Sequence, residues 1–172
     1  MGRTDFTLMR CPVARSMAVL GERWAMLVLR EAFYGTTRFD AFERHLGIAP
    51  NILSARLHDL TEHGLLEKTP GPGARHEYRL TERGRDFFPA YLALKVWADR
   101  WMVGPDGPPI LLEDAVTGRP VEAPPALSAA GTPLRPEDVR ILPGPGASEA
   151  MRARFGGPRL DGPRLDGETS HG

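Results

Sequence analysis

Apolar positions recur along this chain at helical spacing from residue 12 to about 64, at extended spacing to about 80, and at helical spacing again to about 103. Such changes of period mark changes of secondary structure. Pro12 suits the first turn of a helix, and Val13, Met17 and Leu20 follow at spacings of four and three before Gly21 stops the run. A second helix is predicted over residues 22–33, with Trp24, Leu27, Val28 and Phe33 inward and Gly35 closing it. A third covers residues 39–46, with Thr37 as a candidate cap and Gly47 as its stop. Pro50 opens a fourth, over about 50–63, in which Leu53, Leu57 and Leu60 share a narrow arc before Gly64. Two helices joined by a tight glycine-containing turn make a helix-turn-helix.

After Gly64 come two extended runs, 65–69 and 75–80, separated by a tip of Pro70, Gly71, Pro72 and Gly73, which predicts a hairpin. Thr81 is a candidate cap for one long last helix over about 82–103. On it Phe87, Tyr91, Leu94, Ala98 and Trp101 repeat at 4, 3, 4 and 3, a heptad seam too aromatic to stay in water. The expected class is mainly α with a small β wing: a winged helix-turn-helix with a long C-terminal dimerisation helix.

Composition divides the chain. Twelve of the 13 aromatics precede residue 104, whereas 12 of 17 prolines and 11 of 19 glycines lie from it onward. Residues 1–103 therefore hold the large core. Residues 104–142 read as a small Pro/Gly-rich extension with a short β element. Residues 143–172, ending in a tandem Gly-Pro-Arg-Leu-Asp repeat from Gly157, read as a disordered tail. The single cysteine, Cys11, excludes an internal disulfide and fits a reducing compartment. No run of about 18 apolar residues and no basic-then-apolar leader occurs, so a cytoplasmic protein with no membrane partner is expected.

A net charge of zero argues against a nucleic-acid partner until it is divided. Residues 1–103 carry 15 Lys/Arg against 12 Asp/Glu, and residues 104–172 carry 7 against 10. Twenty of the 22 cations are arginines, which suit forked contacts to phosphate or guanine and also reflect GC-rich coding.

The ordered set Cys11-Pro12-Val13-Ala14-Arg15, Leu20-Gly21-Glu22-Arg23-Trp24, Leu29-Arg30-Glu31, Arg38-Phe39, Leu53-Ser54-Ala55-Arg56-Leu57, Leu60, Gly64-Leu65 and Tyr78-Arg79-Leu80-Thr81-Glu82-Arg83-Gly84 resembles the HxlR-type helix-turn-helix. The resemblance covers residues 10 to about 103. It implies a homodimeric transcription factor on a partly palindromic operator, with no catalytic activity and no cofactor. Nothing else in the chain supports an enzyme: there is no glycine-rich phosphate loop and no His-Glu-x-x-His, and His58 and His63, five apart on one helix, diverge. The rival reading is a winged helix that binds protein or senses a ligand without touching DNA, which the neutral net charge favours.

With Leu53, Leu57 and Leu60 inward, Asn51, Ala55 and His58 point away and Ser54 lies on a flank, so these four are the base-edge candidates for double-stranded DNA. Asn51 suits adenine, His58 guanine or phosphate, and Ala55 a thymine methyl. Arg38 is a candidate phosphate contact that sets register. Arg56, beside the core arc, suits either a phosphate or a structural ion pair. Arg75 at the wing tip suits a phosphate or a minor groove, or is a solvated loop residue. Many relatives have serine and a basic residue where this chain has Ala49 and Asn51, so a cap hydroxyl and a positive charge are missing. Cys11 before Pro12 stands at a helix N-terminus, where the dipole favours thiolate. The resemblance implies a redox or electrophile sensor there, with an unknown small-molecule effector as a further partner; the alternative is a buried small hydrophobe.

In the extension, Thr117-Gly118-Arg119-Pro120-Val121 and Ala130-Gly131-Thr132-Pro133-Leu134 share Gly-x-Pro-aliphatic, thirteen residues apart. Some longer members of the family resemble a zinc ribbon here, with cysteines where this chain has Thr117, Leu127 and Ala130. Without thiolates no tetrahedral zinc site is expected, and Val121, Leu127 and Leu134 are expected to pack instead; a chance repeat of turns is the alternative.

Overall fold

The computed structural model describes residues 5–156, in two compact units, one up to Ala126 and one from Leu127. In the first, a 3-10 turn (Phe6–Leu8) precedes α1 (Pro12–Leu20), α2 (Ala25–Phe33), α3 (Phe39–Leu46) and α4 (Pro50–Glu62). Then come β1 (Leu66–Pro70), β2 (His76–Leu80), α5 (Glu82–Asp86) and α6 (Phe88–Trp101). Helices with one two-stranded antiparallel sheet are the winged helix-turn-helix that the periodicity predicts.

Val28 and Leu29 from α2, Phe42 from α3 and Leu53, Leu57 and Leu60 from α4 are completely buried, with Ala25, Ile48 and Leu66 closing the same core. Burying each large side chain contributes about 1.5–3 kcal/mol, so these six fix how the three helices cross. Gly47, at φ 60°, ends α3 in the left-handed region, where a Cβ is disfavoured, and its N–H reaches Glu43 O at 2.9 Å. Buried Ile48 pins the turn before Pro50 starts α4. The strands pair from Leu66↔Leu80 to Pro70↔His76, and a bridge from Arg38 to Glu77 ties the hairpin to the start of α3. Tyr78 N donates to Thr37 O at 2.7 Å beside that bridge.

Several elements differ from the sequence expectation. In α1 the expected set divides: Leu20, together with Val19, packs on the core, while Val13 is 68% and Met17 41% exposed. The second helix begins at Ala25 rather than Glu22, because the chain turns first, with Ala25 N bonded to Glu22 O at 2.9 Å. The single helix over 82–103 is two, broken at Phe87, because Pro89 has no N–H to give Arg85 O and its ring crowds that carbonyl. The boundary between the two compact units falls after Ala126. The segment from 143, expected to lack structure, contains α7 (Glu149–Phe155), capped by Ser148, whose Oγ accepts from Met151 N at 3.3 Å. The tandem repeat from Gly157 lies outside the described residues.

Both Gly-x-Pro segments are tight turns closed by a bridge, Glu113↔Pro120 in the first unit and Leu127↔Pro133 in the second. Asp114 accepts at Oδ1 from Thr117 N (3.0 Å) and Val116 N (2.7 Å), and these two backbone donors hold its carboxyl below the usual carboxylate range. Leu127 is half exposed, so the apolar packing expected of it is not formed.

The end of α4 is bolted to α5. Thr81 Oγ1 accepts from Gly84 N (3.0 Å) and donates to Gly64 O (2.6 Å), and Arg83 Nη1 donates to His63 O (2.8 Å). Gly84 is buried, and a Cβ there would collide with Leu65 O. Gly84→Ala is therefore expected to lower stability by about 1–3 kcal/mol, read as a lower urea midpoint with unchanged slope.

Candidate nucleic-acid interface

The three completely buried leucines decide the rotation of α4 about its own axis. Asn51, Ser54, Ala55 and His58 are all exposed on the far side, together with Ile52. The helix opens at Ala49, which makes no side-chain cap; Pro50 has no N–H and Ile52 N donates to Ala49 O at 3.0 Å, which leaves the Asn51 N–H of that turn without a side-chain cap. Such a helix end attracts phosphate oxygens.

The predicted cations divide by partner. Arg38, exposed, holds Asp40 in a fork, Nε to Oδ1 and Nη2 to Oδ2 at 3.1 Å each. An exposed pair of this kind contributes only about 0–1 kcal/mol, so a phosphate can displace the carboxylate at small cost. Arg56 is drawn inward: Nη1 meets Asp59 Oδ2 at 3.1 Å and Glu22 Oε2 at 3.4 Å, with the side chain 19% exposed. Of its two sequence readings, the geometry supplies the ion pair. Arg75 is exposed at the wing tip, where its carbonyl accepts from Gly71 N at 2.7 Å and closes the loop. Lys68 and Arg79 on the strands are exposed too, Arg79 being paired with Glu77 at 2.5 Å.

On α5 and α6 the heptad residues separate. Tyr91 is buried, its hydroxyl 2.7 Å from that of Tyr34, and Phe87 packs against the core. Leu94 and Trp101 are exposed, Ala98 is half-buried, and Trp97, absent from the heptad seam, is 50% exposed beside them. The apolar outer face of α6 is thus Leu94, Trp97 and Trp101. Cys11, half-buried, stands directly before Pro12 as the cap residue of α1 with no side-chain cap bond.

Sequence reasoning missed one polar cluster. Glu31, buried in α2, takes Arg30 Nη2 on Oε1 at 2.9 Å, while its Oε2 faces His45 Nδ1 at 3.2 Å and accepts from Thr36 Oγ1 at 3.4 Å. It joins α2 to α3. A glutamate amid apolar residues was the available signal. Among the described residues, no group of three or more His, Cys, Asp or Glu could hold a metal ion, and no helix is long and apolar enough to cross a membrane.

A buried leucine arc, an outward polar face and a paired wing define a winged helix-turn-helix of the DNA-binding class. The HxlR-like helix-turn-helix family model matches residues 19–105. The chain is 42% identical over 136 residues to the uncharacterised HTH-type transcriptional regulator Rv3095 of Mycobacterium tuberculosis, covering 78% of this chain and 86% of that protein. Among solved structures it is similar to PA1607, described as a candidate transcription factor, with a TM-score of 0.76 and 41% identity over 80% of this chain and 98% of the other. It is also similar to the redox regulator HypR in its oxidised form, with a TM-score of 0.50 and 28% identity over 55% of this chain and all of the other. The chain belongs to the HxlR-like helix-turn-helix family of DNA-binding transcriptional regulators.

The pairing of Arg56 has a measurable consequence. Arg56→Ala is expected to lower stability by about 0.5–1 kcal/mol, and in a double-mutant cycle with Asp59→Ala the double variant is expected to lose less than the sum of the two single losses.

Proposed function

We propose that this protein regulates transcription by binding double-stranded DNA as a homodimer on a partly palindromic operator, with α4 in the major groove and the wing on the backbone or in the minor groove. One observation carries the reading: Leu53, Leu57 and Leu60 are wholly buried while Asn51, Ser54, Ala55 and His58, on the same helix, are wholly outward. A major groove about 12 Å wide admits such a helix, and short polar side chains reach base edges without first being desolvated from a partner. Arg38 and Arg75 set register on phosphates. The protein acts in the cytoplasm and has no catalytic role.

Dimerisation proceeds through the outer face of α6. Leu94 and Trp101, with Trp97, form an apolar strip that a second copy covers, Ala98 lying at its edge. Phe87 and Tyr91 support the strip from inside the protomer. Cys11 is the thiol through which an oxidant or electrophile acts, a reading supported by its place at the start of α1 and by the likeness to a redox regulator.

Asn51→Ala and His58→Ala are expected each to weaken binding to the DNA upstream of the gene by about 1–3 kcal/mol and to relax sequence preference. Arg75→Ala is expected to weaken all duplexes alike and reduce the salt slope by about 1. Salt-independent or absent duplex binding by the wild-type protein would instead favour a module that works without DNA. For the dimer, Trp97→Glu with Trp101→Glu is expected to sediment as one chain; a persistent two-chain species places the interface elsewhere. Alkylation of Cys11 that leaves operator affinity unchanged removes the sensing role.

A further inference from the structure

Between α2 and α6 the first unit has an open cleft of about 240 Å³, lined on one side by Met26, Leu27 and Leu94 and on the other by Pro109 and Ile110. Its polar lining is Arg30, Tyr34, Tyr91, Lys95 and Asp99. Lys95 and Asp99 satisfy each other at 2.5 Å, and Lys95 Nζ also donates to Ile110 O at 2.9 Å, so this pair closes one end. Arg30 gives only Nε and Nη2 to Glu31; no described residue accepts from its Nη1. The guanidinium also stands 6.0 Å from the centre of the Tyr34 ring.

The two tyrosine hydroxyls share one hydrogen bond, so whichever accepts keeps its own proton to donate elsewhere. Burial, and then the bond to Tyr34, push the Tyr91 hydroxyl well above its ordinary range, which keeps it protonated. The cavity therefore offers a cationic fork with unused donors and one hydroxyl proton, beside aliphatic and thioether walls. We propose that it binds a small aromatic carboxylate, the ring among Met26, Leu27, Leu94 and Ile110 and the carboxylate on Arg30 Nη1 and the tyrosine pair. A cleft of this volume suits a single ring. An apolar cavity of about 150 Å³ accepts benzene, and drug-sized ligands need about 300 Å³ or more.

The site has a route to the DNA-binding face, and this regulatory step rests on the function proposed above. Arg30 is shared between the ligand and Glu31, and Glu31 meets Thr36 and His45, which hold α3. A bound carboxylate draws Arg30 from Glu31 and loosens the helix that precedes α4.

Calorimetric titration of the full-length protein with benzoate tests binding directly. A Kd of about 0.1–1 mM is expected, with benzamide, equal in shape and uncharged, at least tenfold weaker. Arg30→Gln is expected to weaken benzoate by tenfold or more, with partial recovery in Arg30→Lys. Because Arg30 also neutralises Glu31, Met26→Trp provides a second variant: it fills the cavity and is expected to abolish binding with unchanged melting temperature and sedimentation. No heat with benzoate at tens of millimolar, or equal affinity for benzamide, overturns the proposal. So does a Met26→Trp protein that folds but sediments differently, since the cavity is then a seat for the second copy. Binding of the ligand-free protein to duplex DNA is measured separately: DNA binding without benzoate binding defeats only this inference, and benzoate binding without DNA binding defeats only the proposed function.

Discussion

Everything on the outer side of α4 depends on what happens on its inner side. Leu53, Leu57 and Leu60 are fully buried against Val28, Leu29 and Phe42, and a helix with three such anchors cannot rotate without exposing at least one of them. Exposing one large apolar side chain costs about 1.5–3 kcal/mol, a considerable part of a small domain's total stability of about 5–15 kcal/mol. The rotation of the helix, and hence the outward direction of Asn51, Ser54, Ala55 and His58, is set by the core. The anchors at the two ends act on the same element: Ile48 and Gly47 before it, Thr81, Arg83 and buried Gly84 after it.

The helix-turn-helix and the wing were legible because their signals are local. Glycines at the stops, Pro50 at a start and leucines at helical spacing each act within a few residues, and the hairpin announces itself by its Pro/Gly tip. The misreadings share a different cause. A periodic apolar face says that something covers it and leaves open what does: in α1 Leu20 reaches the core together with Val19, whereas Val13 and Met17 of the same spacing stay exposed. Tyr91 looked like part of a dimer seam because its partner, Tyr34, lies 57 residues away in sequence. The break at Phe87 was readable from Pro89 and was overridden by the heptad.

Within the candidate site, side-chain direction was legible and ion pairing was not. Asn51, Ser54, Ala55 and His58 are outward as their angles on the helix require. Whether Arg56 was free for a phosphate depended on Glu22, from a separate part of the chain, and no spacing rule reports that. The Glu31 cluster is similar: its members come from α2, the following turn and α3, and only the fold assembles them. The zero net charge is compatible with the proposed function, because affinity for DNA depends on the few cations that a surface presents to phosphates, proposed above as Arg38 and Arg75, more than on the sum over the chain.

The claim on which the account stands is that the polar side of α4 meets nucleotides. Amide chemical-shift mapping during titration with a duplex from the upstream region of the gene tests it most directly. The account predicts the largest shifts at Asn51, Ser54, Ala55 and His58, with a second group at the wing tip around Arg75. Shifts absent from α4, or concentrated on the outer face of α6, would contradict it.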